Sequence, residues 1–99
     1  MAETYVWVAR VQPAGAELLR RYEDGVLPLL AEHGARLERR LRSADGCTEI
    51  HLVSFPSVEA LTRYRSDPRR VRLHDLLERS GAQLELHHVH DVPPASAPG

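Results

Sequence analysis

Six histidines in 99 residues are where chemistry would be sought first, because imidazole titrates near neutrality and serves as general acid, general base or metal ligand. Their positions differ in what they offer. His51 shares one face of an alternating stretch with Val53 and Phe55, so it points either into a cleft or at a partner surface. His74 borders an apolar helical stripe of Leu73, Leu76, Leu77 and Ser80, where it either overhangs a cleft or sits solvated. His33 lies near the centre of another helical stripe and close to a helix end, where a free carbonyl and the helix dipole would hold it. In His87-His88-Val89-His90-Asp91, His88 and His90 project from one strand face ~7 Å apart, near enough to share a metal. No third ligand is placed beside them, so no metal site is assigned. Trp7, Tyr5, Tyr22 and Tyr64 are the candidates for lining a cleft, since indole and phenol combine apolar area with a polar tip. Arg10 stands on an otherwise apolar strand face and pairs either with an acidic ligand or with Glu38, Glu49 or Glu85. Cys47 has no evident activating neighbour and is read as inert. The sequence contains no phosphate-binding glycine loop, dinucleotide fingerprint or supported Ser-His-Asp arrangement.

The elements that must position these residues are well marked. Thr4 to Val11 reads as a strand apolar on both faces. Ala16 to His33 reads as one amphipathic helix kinked at Pro28 and ended by Gly34. Ala35 to Arg42 is a second strand, with Leu37 and Leu41 on one side, and Ser43-Ala44-Asp45-Gly46 is a hairpin turn leading to a third strand, Glu49 to Phe55. Phe55-Pro56 stops that strand, and Ser57 caps the next helix. The helix restarts at Asp67-Pro68 and ends at Ser80-Gly81. Gln83 to Asp91 is the fourth strand. The domain spans residues 1–92, and 93–99 form a Pro/Ala/Ser/Gly tail read as disordered. The β-α-β-β-α-β order is that of a ferredoxin-like α+β fold, with both helices on one face of a four-stranded antiparallel sheet. Because the first and third strands are apolar on both sides, something must cover the other face, and a second copy is the simplest candidate.

Composition narrows the partners. A net charge of −1 gives no electrostatic reason to expect nucleic acid or an anionic membrane. No apolar run approaches the ~20 residues of a membrane helix. A single cysteine excludes an intrachain disulfide, and with no signal sequence read at the N-terminus the expectation is a cytoplasmic protein. All 13 basic residues are arginine, which reads mainly as genomic bias.

Three stretches resemble the dimeric α+β barrel superfamily, which includes antibiotic-biosynthesis-type monooxygenases and small polyketide cyclases, and within it the small bacterial DUF1330-type proteins. They are Val26-Leu27-Pro28-Leu29-Leu30 with His33-Gly34, Leu52-Val53-Ser54-Phe55-Pro56-Ser57, and Tyr64 with Ser66-Asp67-Pro68. The resemblance implies a homodimer whose sheets pack into a barrel, with a ligand cleft between sheet and helices in each subunit. It also implies a small cofactor-independent enzyme of secondary metabolism that oxygenates, cyclises or isomerises an aromatic or polyketide-like molecule. On that reading His74 or His51 moves the proton, and Trp7, Tyr64, Tyr5, Tyr22, His33 and Arg10 contact the substrate. The His-Pro-x-x-His of some plant cyclases is replaced here by Asp67-Pro68-Arg69-Arg70, so that activity does not transfer. A non-catalytic ligand-binding or stress-response dimer with the same cleft is the alternative.

Overall fold

The computed structural model describes residues 2–95; most of the expected tail, from Ser96 on, lies outside them. Four strands, β1 (Glu3–Arg10), β2 (Arg36–Arg42), β3 (Thr48–Phe55) and β4 (Gln83–Val89), form one antiparallel sheet in the order β2-β3-β1-β4. Tyr5, Trp7 and Ala9 of β1 face the helices together with Glu49, His51, Val53 and Phe55 of β3. Val6, Val8, Ile50 and Leu52 form the apolar centre of the opposite face, which no element of the described chain covers.

The helical layer begins with α1 (Ala16–Val26), which packs on α4 (His74–Ser80). Gly15 makes that approach possible: a Cβ there would come within 2.0 Å of the Ser80 carbonyl oxygen. The single kinked helix expected over 16–33 is in fact two pieces. After Val26 the chain tightens into a 3₁₀ segment, Leu27–His33, because Pro28 has no N–H to continue the α-helical ladder. Gly34, at φ 71°, then turns the chain into β2. The helical run after β3 also divides, into α2 (Val58–Arg65), α3 (Pro68–Arg72) and α4. Ser57 and Asp67 cap α2 and α3 by accepting the backbone N–H groups of Ala60 and Arg69.

Two expectations need correction here. The barrel is not formed: β2 and β4 are separate edges, each paired on one side only, and the sheet is open. Four strands are too few to close around a filled interior, which takes about eight. The second concerns β2, where a bulge between Leu37 and Arg39 changes the register. It sends Leu41 to the open face, opposite Ile50, and turns Arg40 and Arg42 toward the helices, beside His51 and Glu49. Leu37 and Leu41 therefore lie on opposite faces.

Candidate functional site

The bulge matters because of what it delivers to the helix-covered face. Glu49 is buried there, and burial by itself would raise its pKa. Its carboxylate instead accepts bonds from His51 Nε2 (2.8 Å), Arg40 Nε (2.5 Å) and both Arg42 Nε and Nη2 (3.1 Å each). Those donors outweigh the desolvation and hold Glu49 below its ordinary value. Arg40 also reaches Asp24 on α1 at 3.2 Å, tying strand to helix.

On the other side of the His51 ring, Nδ1 lies 3.5 Å from Oε2 of Glu23 on α1. Glu23 is as buried as its neighbours: Tyr22, Glu23, Glu49 and His51 are all 4% exposed or less. Burial, reinforced by the nearby Glu49 charge, pushes the Glu23 carboxyl up to about 7, against the opposing pull of Arg40 and Arg70. Burial also lowers the pKa of His51, more than the Glu49 contact raises it. The partners settle the tautomer. An ionised Glu49 needs the proton on Nε2, which leaves a lone pair on Nδ1 facing Glu23.

These groups form the polar floor of a cleft between sheet and helices, with Trp7, Val26, Leu30, Val53, Tyr64 and Leu84 among its apolar walls. Empty space within it amounts to about 400 Å³ with the open mouth included, but the centre of a water molecule can move through only about 20 Å³ of it, room for about one water. A ring-sized ligand must therefore displace side chains at the mouth, where Leu84 is 38% exposed. Tyr64 donates its hydroxyl to the Val26 carbonyl at the end of α1 (3.2 Å), and burial raises its pKa to about 12. Among the described residues, the Tyr22 hydroxyl and Arg70 Nε are buried without any hydrogen-bond partner, and both residues line the cleft. The Arg70 guanidinium lies 5.0 Å from the Tyr64 ring centre and 5.9 Å from that of Tyr22.

With the geometry in hand, comparison with known proteins is informative about the fold. No family profile matches the sequence, so the DUF1330-type resemblance rests on its motif residues alone. No curated protein matches it either. Solved structures do. Rv0793 of Mycobacterium tuberculosis is 20% identical with a TM-score of 0.73, over 97% of this chain and all of that one. The cofactor-independent oxygenase SnoaB of Streptomyces nogalater is 18% identical with a TM-score of 0.68, over 95% of this chain and 98% of its own. A candidate antibiotic-biosynthesis monooxygenase from Caulobacter crescentus is 14% identical with a TM-score of 0.71, over 91% of each chain. This chain shares their fold. At such identities the likeness covers the architecture and leaves the chemistry to the residues in the cleft.

Of the residues singled out in the sequence, the cleft brings together Trp7, Tyr22, His51 and Tyr64. The others lie elsewhere. His74 opens α4 with its side chain 55% exposed, 3.4 Å from Glu78, away from the cleft lining. His33 bonds not a free carbonyl but the Asp67 carboxylate, at 2.8 Å, and its ring meets Tyr64 edge-on. Arg10 pairs with Glu85 at 2.6 Å on the open face. Tyr5 is buried, stacked against His88 at 4.5 Å, and His88 also contacts Glu3. No cluster of three metal-ligating side chains occurs among the described residues, and no helix among them is long and apolar enough to cross a membrane.

Sequence reasoning missed Glu23, Glu49, Arg40, Arg42 and Arg70 as site residues. Two of these carried a signal. Glu23 stands four residues after Leu19 and three before Val26, inside the apolar stripe of α1. Glu49 alternates with His51 on one face of β3.

Proposed function

We propose that the protein is a small cofactor-independent enzyme acting on an aromatic or polyketide-like molecule in the cleft, with the His51 imidazole and its flanking carboxyl groups as the proton-transfer unit. The observation that carries this reading is the imidazole held between Glu49 and Glu23 on the floor of an otherwise apolar cleft. Buried titratable groups displaced from their ordinary pKa values and placed in a cleft are what general acid–base catalysis requires. The fold shared with a cofactor-independent oxygenase makes oxygenation the favoured reaction among those expected.

In such a reaction an acidic C–H conjugated through the aromatic rings with a carbonyl gives its proton to the unit. The electrons released from carbon reduce O₂; one oxygen remains on the substrate as a carbonyl and the other leaves as water. Trp7 and Tyr64 form the aromatic walls against which the ring would stack. The protein is taken to work as a homodimer, because Val6, Val8, Ile50 and Leu52 leave an apolar strip on the open sheet face that a second copy can cover.

The test is oxygen uptake with the anthrone dithranol, whose conversion to the anthraquinone is also visible by absorbance. The wild-type protein should catalyse it, and His51→Gln should lose ~10²–10⁴-fold in kcat with a similar KM, the range for a positioned proton-transfer group. Equal rates in the two proteins would remove His51 from the reaction.

A further inference from the structure

We infer that Glu23, rather than the histidine, is the catalytic group that exchanges a proton with the ligand, and that Tyr22 and Arg70 hold the ligand's oxygen. This rests on the cleft being the ligand site, as proposed above.

Of the two nitrogens of His51, one is bonded within the protein and the other is screened by a carboxyl. Nε2 donates to Glu49, and Glu49 is fixed as a carboxylate by Arg40 and Arg42. Nδ1 faces Glu23. A ligand in the cleft thus reaches Nδ1 only past the Glu23 carboxyl that faces it. Glu23 differs from Glu49 in having no arginine bound to its oxygens; its 3.5 Å approach to Nδ1 is too long for a well-formed hydrogen bond. Its carboxyl can therefore swing between Nδ1 and the cavity that it lines. Protonated, it donates to the Nδ1 lone pair; ionised, it is the base presented to the ligand. His51 is then a positioning residue for Glu23.

The electrostatic surroundings make both states accessible. Glu49 and His51 of β3, Arg40 of β2, Arg70 of α3, Tyr64 of α2, and Tyr22 and Asp24 on its own helix are the charged or titratable groups around Glu23, and burial with the Glu49 charge brings its titration to about 7. The ligand's other requirement comes from the Tyr22 hydroxyl and Arg70 Nε, two buried donors with no protein partner among the described residues. Leaving such donors unpaired is costly, so a phenol, enol or aromatic carbonyl oxygen bound to them would relieve that cost. The ligand class is therefore a flat aromatic molecule carrying an acidic hydroxyl, or an acidic C–H beside a carbonyl, rather than a plain hydrocarbon.

Naphthol is a suitable probe, because its excited state releases a proton and the anion emits at a longer wavelength. With protein in excess at about pH 8, where Glu23 is mostly ionised, bound naphthol should show anionic emission, and at about pH 5 it should not. Glu23→Gln, with an amide that can still donate to Nδ1, should bind naphthol and lose the anionic emission. Should that variant fail to fold, Glu23→Asp, with the carboxyl withdrawn by one methylene, should show the same loss. Emission that survives in Glu23→Gln, and falls instead in His51→Gln, would overturn the assignment while leaving the cleft reading intact. Failure of the wild-type protein to bind naphthol at all would overturn the cleft reading itself.

Discussion

Replacing Glu23 by glutamine should change how stability depends on pH more than it changes stability at acid pH. A group whose pKa is raised on folding contributes stability that is fully present below its unfolded pKa and is lost as pH rises through the folded one. For Glu23 the two values are 4.5 and about 7, so the loss falls between them. A displacement of that size corresponds to about 3 kcal/mol. The wild-type protein should therefore weaken by up to that amount relative to Glu23→Gln between about pH 4 and pH 8. The comparison must be relative, because other groups titrate in the opposite sense. His51, lowered by burial, and Glu49, lowered against burial by its hydrogen bonds, both favour the folded state as pH rises. These contributions should cancel approximately in the difference between the two proteins. Urea unfolding at closely spaced pH values gives the required curves. They should nearly coincide at acid pH, diverge between about pH 4.5 and pH 7, and stay apart above neutrality, with the glutamine variant the more stable. Parallel curves throughout would mean that Glu23 titrates as an ordinary carboxyl, and the reasoning about the buried Glu23–His51–Glu49 group would fail.

Other substitutions test the remaining assignments. Glu49→Ala should destabilise by ~1–3 kcal/mol, because it leaves the buried His51 Nε2 without its acceptor while Arg40 and Arg42, partly exposed, turn to water; chemical denaturation measures this. His74→Ala should change stability by less than about 0.5 kcal/mol and leave dithranol oxidation untouched, as its exposed position dictates. Asp67→Ala should lower the thermal midpoint, since it removes the cap of α3 and the partner of His33 together. Light scattering at micromolar concentration should give about twice the 11.1 kDa chain mass, and Leu52→Glu on the open face should shift it toward the single-chain value.

The fold was readable where local chemistry determines it. Pro56 after Phe55, Ser57 and Asp67 as caps, Gly34 and Gly81 as left-handed stops and the Ser43–Gly46 turn all act through their immediate neighbours, and each lies where its residue type requires. Pro28 was recognised as a perturbation, but whether the chain continues as α-helix or tightens to 3₁₀ depends on how the segment packs. The bulge in β2 was not readable at all. Arg-Leu-Glu-Arg-Arg-Leu-Arg has no clean alternation, so a one-residue slip changes which arginines face inward without leaving a mark in the pattern. The ionised state of Glu49 depends on that slip, because without it Arg40 and Arg42 would not point at its carboxylate. His74 misled for a similar reason: a position bordering an apolar stripe has no fixed side until the helix is packed, and here it faces water. The barrel, too, was expected from a resemblance whose closure no local residue pattern encodes.

The central claim is that the cleft floored by Glu23, His51 and Glu49 is where an aromatic ligand binds. Titrating isotope-labelled protein with naphthol and following the amide and side-chain resonances tests it most directly. The account predicts saturable shifts at Trp7, Tyr22, His51 and Tyr64, with His74 unmoved. Shifts confined to Glu3, His88 and His90, which line a separate depression at the other end of the sheet, would contradict it.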